Sequence, residues 1–229
     1  MYGKCQALND AQALMSMMKH RDVYTWTFII GAFAELGQSR NALLMYEDMQ
    51  RDGVKPNECT FVYLLSSCDD KAALEEGRHV HMLILISECE AYAAVSTALI
   101  CMYNRCGSLD DAWHVADSTY VKDTISWNAL IAGYAQRGES HEALSCFKEM
   151  QREGLIPNEI TFLSVLNACR HSGLFDEARS IFHDMSALYK IMPNLEHHTC
   201  MVVVFGLAGH FDEAMSVIKI MPSSDHVEI

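Results

Sequence analysis

Two stretches of this chain, 23–57 and 124–158, restate each other at a fixed distance of 101 positions. Trp26 pairs with Trp127, Gly37 with Gly138, Ala42-Leu43 with Ala143-Leu144, and Met49-Gln50-Arg51 with Met150-Gln151-Arg152. Gly53, Pro56 and Asn57 pair with Gly154, Pro157 and Asn158. Each copy reads as two helices and a stop. In the second, Trp127, Leu130, Ile131 and Tyr134 recur at helical spacing, Gly138 breaks the first helix, and Ala143, Leu144, Phe147 and Met150 line the second. Gly154 and Pro157 end it, because glycine tolerates a left-handed turn and proline cannot continue a helix. A repeating chain folds as stacked copies of one supersecondary unit, so the offset outranks any local motif.

The offset divides the rest. Glu58, Thr60, Phe61, Leu65 and Cys68 match Glu159, Thr161, Phe162, Leu166 and Cys169, and Met1-Tyr2, Cys5, Leu8, Asp10-Ala11 and Asp22 match Met102-Tyr103, Cys106, Leu109, Asp111-Ala112 and Asp123. The units are therefore 23–57, 58–92, 93–123, 124–158, 159–194 and 195–229, preceded by a partial unit, 1–22. In the last unit the offset becomes 102, pairing Thr97 with Thr199 and Asp110-Asp111-Ala112 with Asp212-Glu213-Ala214. Each unit reads as a helical hairpin. Asp110, Glu139, Asp176 and Asp212 stand near the start of the second helix, where negative charge complements the dipole. No hairpin buries its apolar face alone, so neighbours must stack. Without strand alternation or a glycine-rich phosphate loop, the predicted class is all-α, an α-solenoid.

Half of the 229 residues are apolar, which gives ample core. The longest apolar runs, His81–Ile86 and Cys200–Ala208, fall far short of the roughly 18 residues of a membrane span, so no membrane role is expected. The first residues, MYGKCQALNDAQ, show neither a signal nor a transit peptide. Nine cysteines form no C-x-x-C pair, and Cys68 recurs as Cys169 and Cys5 as Cys106, as small core residues do. They read as free thiols in a reducing compartment. A net charge of −13 argues against a strongly basic nucleic-acid footprint.

The wording of the units resembles the pentatricopeptide repeat family, specifically its plant organellar PLS subclass. SWNALIAGYAQRG and EALSCFKEMQREGLIPN resemble the P-type unit, and ITFLSVLNACRHSG the L-type. ALICMYNRCGSLDDA resembles the S-type, and LEHHTCMVVVFGLAGHFDEA the S variant that closes such arrays. The resemblance implies a partial S unit at 1–22, P at 23–57, L at 58–92, S at 93–123, P at 124–158, L at 159–194 and a closing S at 195–229. It also implies a right-handed superhelix without E or DYW extensions.

The family binds single-stranded RNA, one repeat per base. By resemblance, the fifth and last residues of a unit touch the base edge and the second packs against neighbouring bases. The readers are then Thr27 with Asn57, Thr97 with Asp123, and Asn128 with Asn158, implying A, G and a pyrimidine. Thr199, Asn194, Ile125 and Ile160 are weaker contacts. The second-position residues are Tyr24, Cys59, Ala94, Ile125, Ile160 and Glu196. Val62 with Tyr92 and Leu163 with Asn194 offer no clear polar pair, which makes the L units spacers. The chemistry is reasonable, since Asn presents donor and acceptor, Thr a hydroxyl, and ionised Asp only acceptors. The plain alternative is that Asn57, Asp123 and Asn158 serve as helix N-caps, a compatible role. Asn128 and Thr97 discriminate better, because a mid-helix Asn or Thr gains nothing intrinsically.

Other candidates carry no chemistry. His79/His81 and His197/His198 lack the spacing and carboxylate partners of zinc ligands. His226-Val227-Glu228 spells the H-x-E of zinc deaminases, but no cysteine pair follows it. No catalytic residue, cofactor or metal is expected. The resemblance implies a monomeric RNA-binding factor in a mitochondrion or chloroplast, serving cytidine-to-uridine editing or processing beside a separate deaminase. A tetratricopeptide-like protein scaffold, echoed by Trp127, Leu130, Gly133, Tyr134, Ala143 and Pro157, and a truncated relic of an editing factor are the rivals.

Overall fold

The computed structural model describes residues 18, 20–118 and 123–221. The described residues form α-helices joined by short turns, two 3-10 turns and no strand. They group into two compact units, Met1–Lys122 and Asp123–Ile229. The first holds α1 (Val23–Ala34), α2 (Ser39–Arg51), α3 (Glu58–Ser66), α4 (Leu74–Ile86), α5 (Ala93–Cys106) and α6 (Leu109–Ser118). The second holds α7 (Thr124–Gln136), α8 (Ser140–Arg152), α9 (Glu159–Ser172), α10 (Phe175–Ala187), α11 (Leu195–Leu207) and α12 (Phe211–Ile220). The partial repeat proposed for 1–22 falls largely outside the described residues, as does His226-Val227-Glu228.

Within each unit the odd-numbered helices pack in succession, α1 on α3 on α5 and α7 on α9 on α11, each with its even-numbered partner behind it. This is the stacking of an α-solenoid. An Asx residue starts nearly every odd helix. Asp22, Asn57, Asp123, Asn158 and Asn194 accept backbone N–H groups of the first turn; α5, preceded by Tyr92, has no side-chain cap. Acidic first turns then favour α6, α10 and α12 electrostatically. Gly173 ends α9 at φ +66°, a left-handed conformation that disfavours any Cβ.

Aromatic and aliphatic side chains fill the seams between hairpins. Tyr46 of α2 meets Phe61 of α3 at 5.8 Å between ring centroids. Phe162 of α9 meets Phe147 of α8 edge-on at 5.8 Å and Tyr189 at 5.3 Å. Trp26 and Trp127 are buried at the corresponding places in α1 and α7. Each fully buried Phe or Leu contributes about 1.5–3 kcal/mol of transfer free energy, so packing rather than helix propensity holds the stack. The described cysteines are free thiols, and all but Cys59 and Cys101 are buried. Burial pushes Cys68 and Cys200 up to about 11, and Cys146 and Cys169 up to about 12. Such thiols stay protonated and inert at neutral pH. No described helix is long and apolar enough to cross a membrane.

Candidate nucleic-acid interface

The N-termini of the odd helices assemble the candidate site, and the capping chemistry dictates how. At α9, Asn158 accepts the Thr161 N–H at 3.0 Å while its own N–H donates to the Thr161 hydroxyl at 3.0 Å, a reciprocal capping box. Asn128, on the preceding first helix, reaches into this box. Its amide nitrogen donates to Asn158 Oδ1 at 3.0 Å, and its own Oδ1 accepts the Thr161 hydroxyl at 2.5 Å. At α3 the arrangement recurs. Thr60 donates its backbone N–H and its hydroxyl to Asn57 Oδ1, each at 2.9 Å, and the Thr27 and Thr60 hydroxyls share a bond of 2.8 Å. The structure thus brings together Asn128 with Asn158, and Thr27 with Asn57 through Thr60.

Mid-helix Asn128 and Thr27 are buried and hydrogen-bonded, so Asn128, which gains nothing intrinsically from its place in the helix, gains partners on the next hairpin instead. Both stitch one hairpin to the next, so a structural role is present whether or not a ligand is bound. Asp123 caps α7 through the Ser126 N–H at 2.7 Å, while Thr97 lies half-buried on α5. Asn194 caps α11 by accepting from Glu196 N at 3.0 Å and His197 N at 3.2 Å. Here His197 replaces the capping-box threonine. It is buried, with Nδ1 against Asn194 Oδ1 and Nε2 at 3.0 Å from the Glu159 carbonyl. His198 packs edge-on against Phe182, and His81 bonds Tyr103 at 2.8 Å. Among the described residues no cluster of His, Cys, Asp or Glu has the makings of a metal site.

The six second-position residues, Tyr24, Cys59, Ala94, Ile125, Ile160 and Glu196, are all exposed. Ile125 and Ile160 each leave over 60% of their surface in solvent, at 64% and 62%, beside the capped Asn or Asp residues. An apolar side chain so exposed at a helix start gains nothing by folding and is available for stacking. Between α9 and α11 lies a cleft of about 300 Å³, lined by Leu163, Asn167, Arg170, Glu196, Thr199 and Cys200. Sequence reasoning found Leu163, Glu196 and Thr199 there but missed Asn167 and Arg170, four and seven residues beyond Leu163 on the same helical face.

Charge is partitioned between the two sets of helices. The odd helices carry three acidic residues (Glu58, Glu159, Glu196) against two basic (Arg105, Arg170). The even helices carry fourteen acidic against seven basic. Part of that acidity is consumed in ion pairs between neighbouring hairpins, Arg78 to Asp111 at 2.9 Å and Arg179 to Glu213 at 3.4 Å. The odd helices therefore carry little net charge although the chain does, with Asp22 and Asp123 adding negative charge at two of their N-caps.

Comparison with known proteins agrees with this geometry. The PPR repeat family model matches residues 21–69 and 122–171, and the PPR repeat model matches 160–188 and 196–226. Pentatricopeptide repeat-containing protein At5g27110 of Arabidopsis thaliana is 36% identical over 230 residues, covering 100% of this chain and 33% of its own length. Pentatricopeptide repeat-containing protein At1g06140, mitochondrial, from the same plant is 36% identical over 97% of this chain and 40% of its own length. CRR2, chloroplastic, is 35% identical over 96% and 34% respectively. The chain thus spans about a third of the length of these relatives. Among solved structures, the pentatricopeptide repeat protein PPR10 in complex with an 18-nt psaJ RNA element superposes with a TM-score of 0.79 at 21% identity, over 96% of this chain and 34% of its own. The PPR domain of Arabidopsis thaliana protein-only RNase P 1 in complex with tRNA gives 0.59 at 13% identity, over 80% of this chain and 95% of its own. Stacked hairpins, the repeat-family models that cover most of the described helices and this set of relatives agree: the chain belongs to the pentatricopeptide repeat family.

Proposed function

We propose that the chain binds single-stranded RNA with sequence selectivity, one base per unit, and has no catalytic role of its own. The observation that carries this reading is the repeated junction in which the fifth and last residues of a unit meet at a capped helix start, beside an exposed second-position side chain. Unpaired bases offer both an edge to hydrogen-bond and a face to stack, and the junction supplies partners for both. The near-neutral odd helices support the same reading, because phosphate must lie close to this face and tolerates little negative charge there.

In finer detail, the units 23–57, 58–92, 93–123, 124–158, 159–194 and 195–229 act as P, L, S, P, L and closing S repeats. Thr27/Asn57, Thr97/Asp123 and Asn128/Asn158 then select A, G and a pyrimidine, giving 5′-A-N-G-Y-N-3′ from unit 23–57 to unit 159–194. The L units at 58–92 and 159–194 are spacers, with Asn194, Thr199, Ile125 and Ile160 adding weaker contacts. The chain serves as part of a C-to-U editing or processing specificity factor in a mitochondrion or chloroplast and places a separate deaminase beside its target. The chloroplastic and mitochondrial names among its relatives support the compartment.

The test is a titration of short single-stranded RNAs at low salt. Each correct contact is worth on the order of 1 kcal/mol, so three contacts imply weak binding. Asp123→Asn should move the preference at the G position towards A and leave the other positions alone. Equal weakening for every sequence would make Asp123 a helix cap only and favour a protein-binding scaffold.

A further inference from the structure

We infer that the third residue of the following unit, Thr60 at one junction and Thr161 at the other, sets which hydrogen-bonding groups the reading pair presents to a base. Neither is itself a reader. Both are buried, at 0% exposure, and act through the residues they hold. The inference rests on the RNA reading above and deepens it.

The argument is one of proton counting. A backbone N–H can only donate, so the Thr161 N–H fixes Asn158 Oδ1 as the inward atom of its amide. Asn128 meets that oxygen at 3.0 Å, which requires its nitrogen to face Asn158 and turns its Oδ1 towards Thr161. The Thr161 hydroxyl accepts the Asn158 N–H, and its single proton goes to the nearer of two oxygens, Asn128 Oδ1 at 2.5 Å rather than Asn158 Oδ1 at 3.1 Å. Asn158 Oδ1 is thereby filled by two N–H donors, and Asn128 Oδ1 is turned inward onto the Thr161 hydroxyl. What remains for a ligand is the Asn158 NH2 and the second N–H of Asn128, which are donors only. Donors alone suit a base edge made of acceptors, as O2 and N3 of cytosine provide and as the carbonyls of uracil provide singly.

The other junction ends with a different polarity. Thr60 donates its N–H to Asn57 Oδ1 and, unlike Thr161, directs its hydroxyl proton to that same capping oxygen at 2.9 Å, because a neighbouring hydroxyl can supply its own proton and an amide oxygen cannot; the Asn57 NH2 is left outward. With the Thr60 proton committed, the bond between the two hydroxyls takes its proton from Thr27. Thr27 Oγ1 is left with lone pairs. The pair therefore offers one donor and one acceptor, which complements the N1 acceptor and N6 donor of adenine. The same rule extends to Asp123, whose carboxylate accepts the Ser126 N–H and has only acceptors left to offer. Hence the residue beneath the pair, invisible to the base, decides whether Thr27 donates or accepts and whether the Asn128 oxygen is occupied or left for a ligand.

The experiment compares base discrimination at single positions for the full chain and for Thr60→Val, Thr60→Ser, Thr161→Val and Thr161→Ser. Valine keeps the shape and removes the hydroxyl, whereas serine restores it. Short single-stranded RNAs carrying 5′-A-N-G-Y-N-3′ are varied one base at a time. The unaltered chain should discriminate by about tenfold at each read position, the scale of one good contact. Thr60→Val should lower that ratio to about twofold at the A position and leave the Y position alone, because Thr27 regains a free hydroxyl proton. Thr161→Val should do the reverse, since the Asn128 oxygen loses its internal donor and becomes an acceptor available to the base. The serine variants should restore both ratios. Thr60→Cys and Thr161→Cys, with a much weaker donor, give the same readout if either valine variant fails to fold. Lower affinity for all sequences with unchanged ratios would overturn the inference and leave these threonines as capping residues. No discrimination by the unaltered chain at either position would overturn the RNA reading and this inference with it.

Discussion

Residues 23–68 and 124–169 share most of their core residues, yet three physical details separate them. Trp127 donates its indole N–H to Glu153 at 3.1 Å, while Trp26 at the matching place is buried with an unsatisfied Nε1. The matching acid is Asp52, one methylene shorter and turned to Arg21 at 2.8 Å; Arg21 also lies over the Trp26 ring at 5.1 Å. One unit thus holds its tryptophan by its edge and the other by its face. The second difference is at the next helix. α3 spans 9 residues and α9 spans 14, although both carry the same Thr, Phe and Leu positions; the shared cysteine lies inside α9 as Cys169 but past the end of α3 as Cys68. After the shared cysteine, α9 continues through Arg170 and His171, whose positive character suits a helix C-terminus, and stops at Gly173. The first copy has Asp69 and Asp70 there. Negative charge opposes continuation, and Asp70 instead caps a 3-10 turn, Lys71–Ala73, through the Ala73 N–H at 3.0 Å. The third is the ring environment, where Phe61 has one aromatic neighbour and Phe162 has two. Repeats therefore share the spacing of their cores and differ at their edges.

The largest effect should come from the rings. Phe61→Ala and Phe162→Ala should each cost about 3–5 kcal/mol, the range for truncating a buried aromatic. Phe162→Ala should cost about 0.5–1.5 kcal/mol more because it loses a second aromatic pair. Hydrogen exchange of α3 and α9 amides under increasing urea measures each locally, and equal costs would show that the extra ring contributes nothing.

Next comes the helix end. Gly173→Ala should destabilise α9 by about 1–2 kcal/mol, because a Cβ is forced into the left-handed region. Thermal unfolding and amide exchange in the last turn of α9 check it. A neutral result would mean that the Arg170 and His171 charges, not the glycine, set the length of α9.

The tryptophan difference should be tunable in both directions. Asp52→Glu lets the acid reach Trp26 and should stabilise by about 1 kcal/mol, while Glu153→Asp should cost a similar amount. Unfolding midpoints of the two single variants decide this. If both shift the same way, side-chain reach is not what separates the units.

The smallest effect at neutral pH, and a visible one in alkali, concerns the thiols. Burial raises Cys68 to about 11, and Cys146 and Cys169 to about 12, from an ordinary 9.0. Above pH 9 the unfolded chain binds fewer protons at these sites than the folded one, so stability falls as pH rises. The contribution is whole below pH 9 and is lost towards pH 11–12, more in the unit holding Cys146 and Cys169. Unfolding midpoints at pH 8 and pH 10 measure it, and substitution of Cys146 by alanine should flatten the slope.

Much of this was legible in the residues. The offset between Trp26 and Trp127 announced stacked helical hairpins, and Asn57, Asp123 and Asn158 announced helix starts. These features are local, fixed by backbone chemistry within a few residues, and so they survive in a one-dimensional reading. The length difference between α3 and α9 was also written in Asp69-Asp70 against Arg170-His171, but their shared Phe and Cys positions concealed it. What spacing could not show is that Asn128 and Thr27 are tied to the third residue of the following unit, 33 positions away in each case. Those bonds join residues that become neighbours only when one hairpin stacks on the next. The sequence by itself determined the unit, its caps and its core. The tertiary structure decided which polar atoms are used internally and which remain outward, because a hydroxyl has one proton and only stacking settles where it goes.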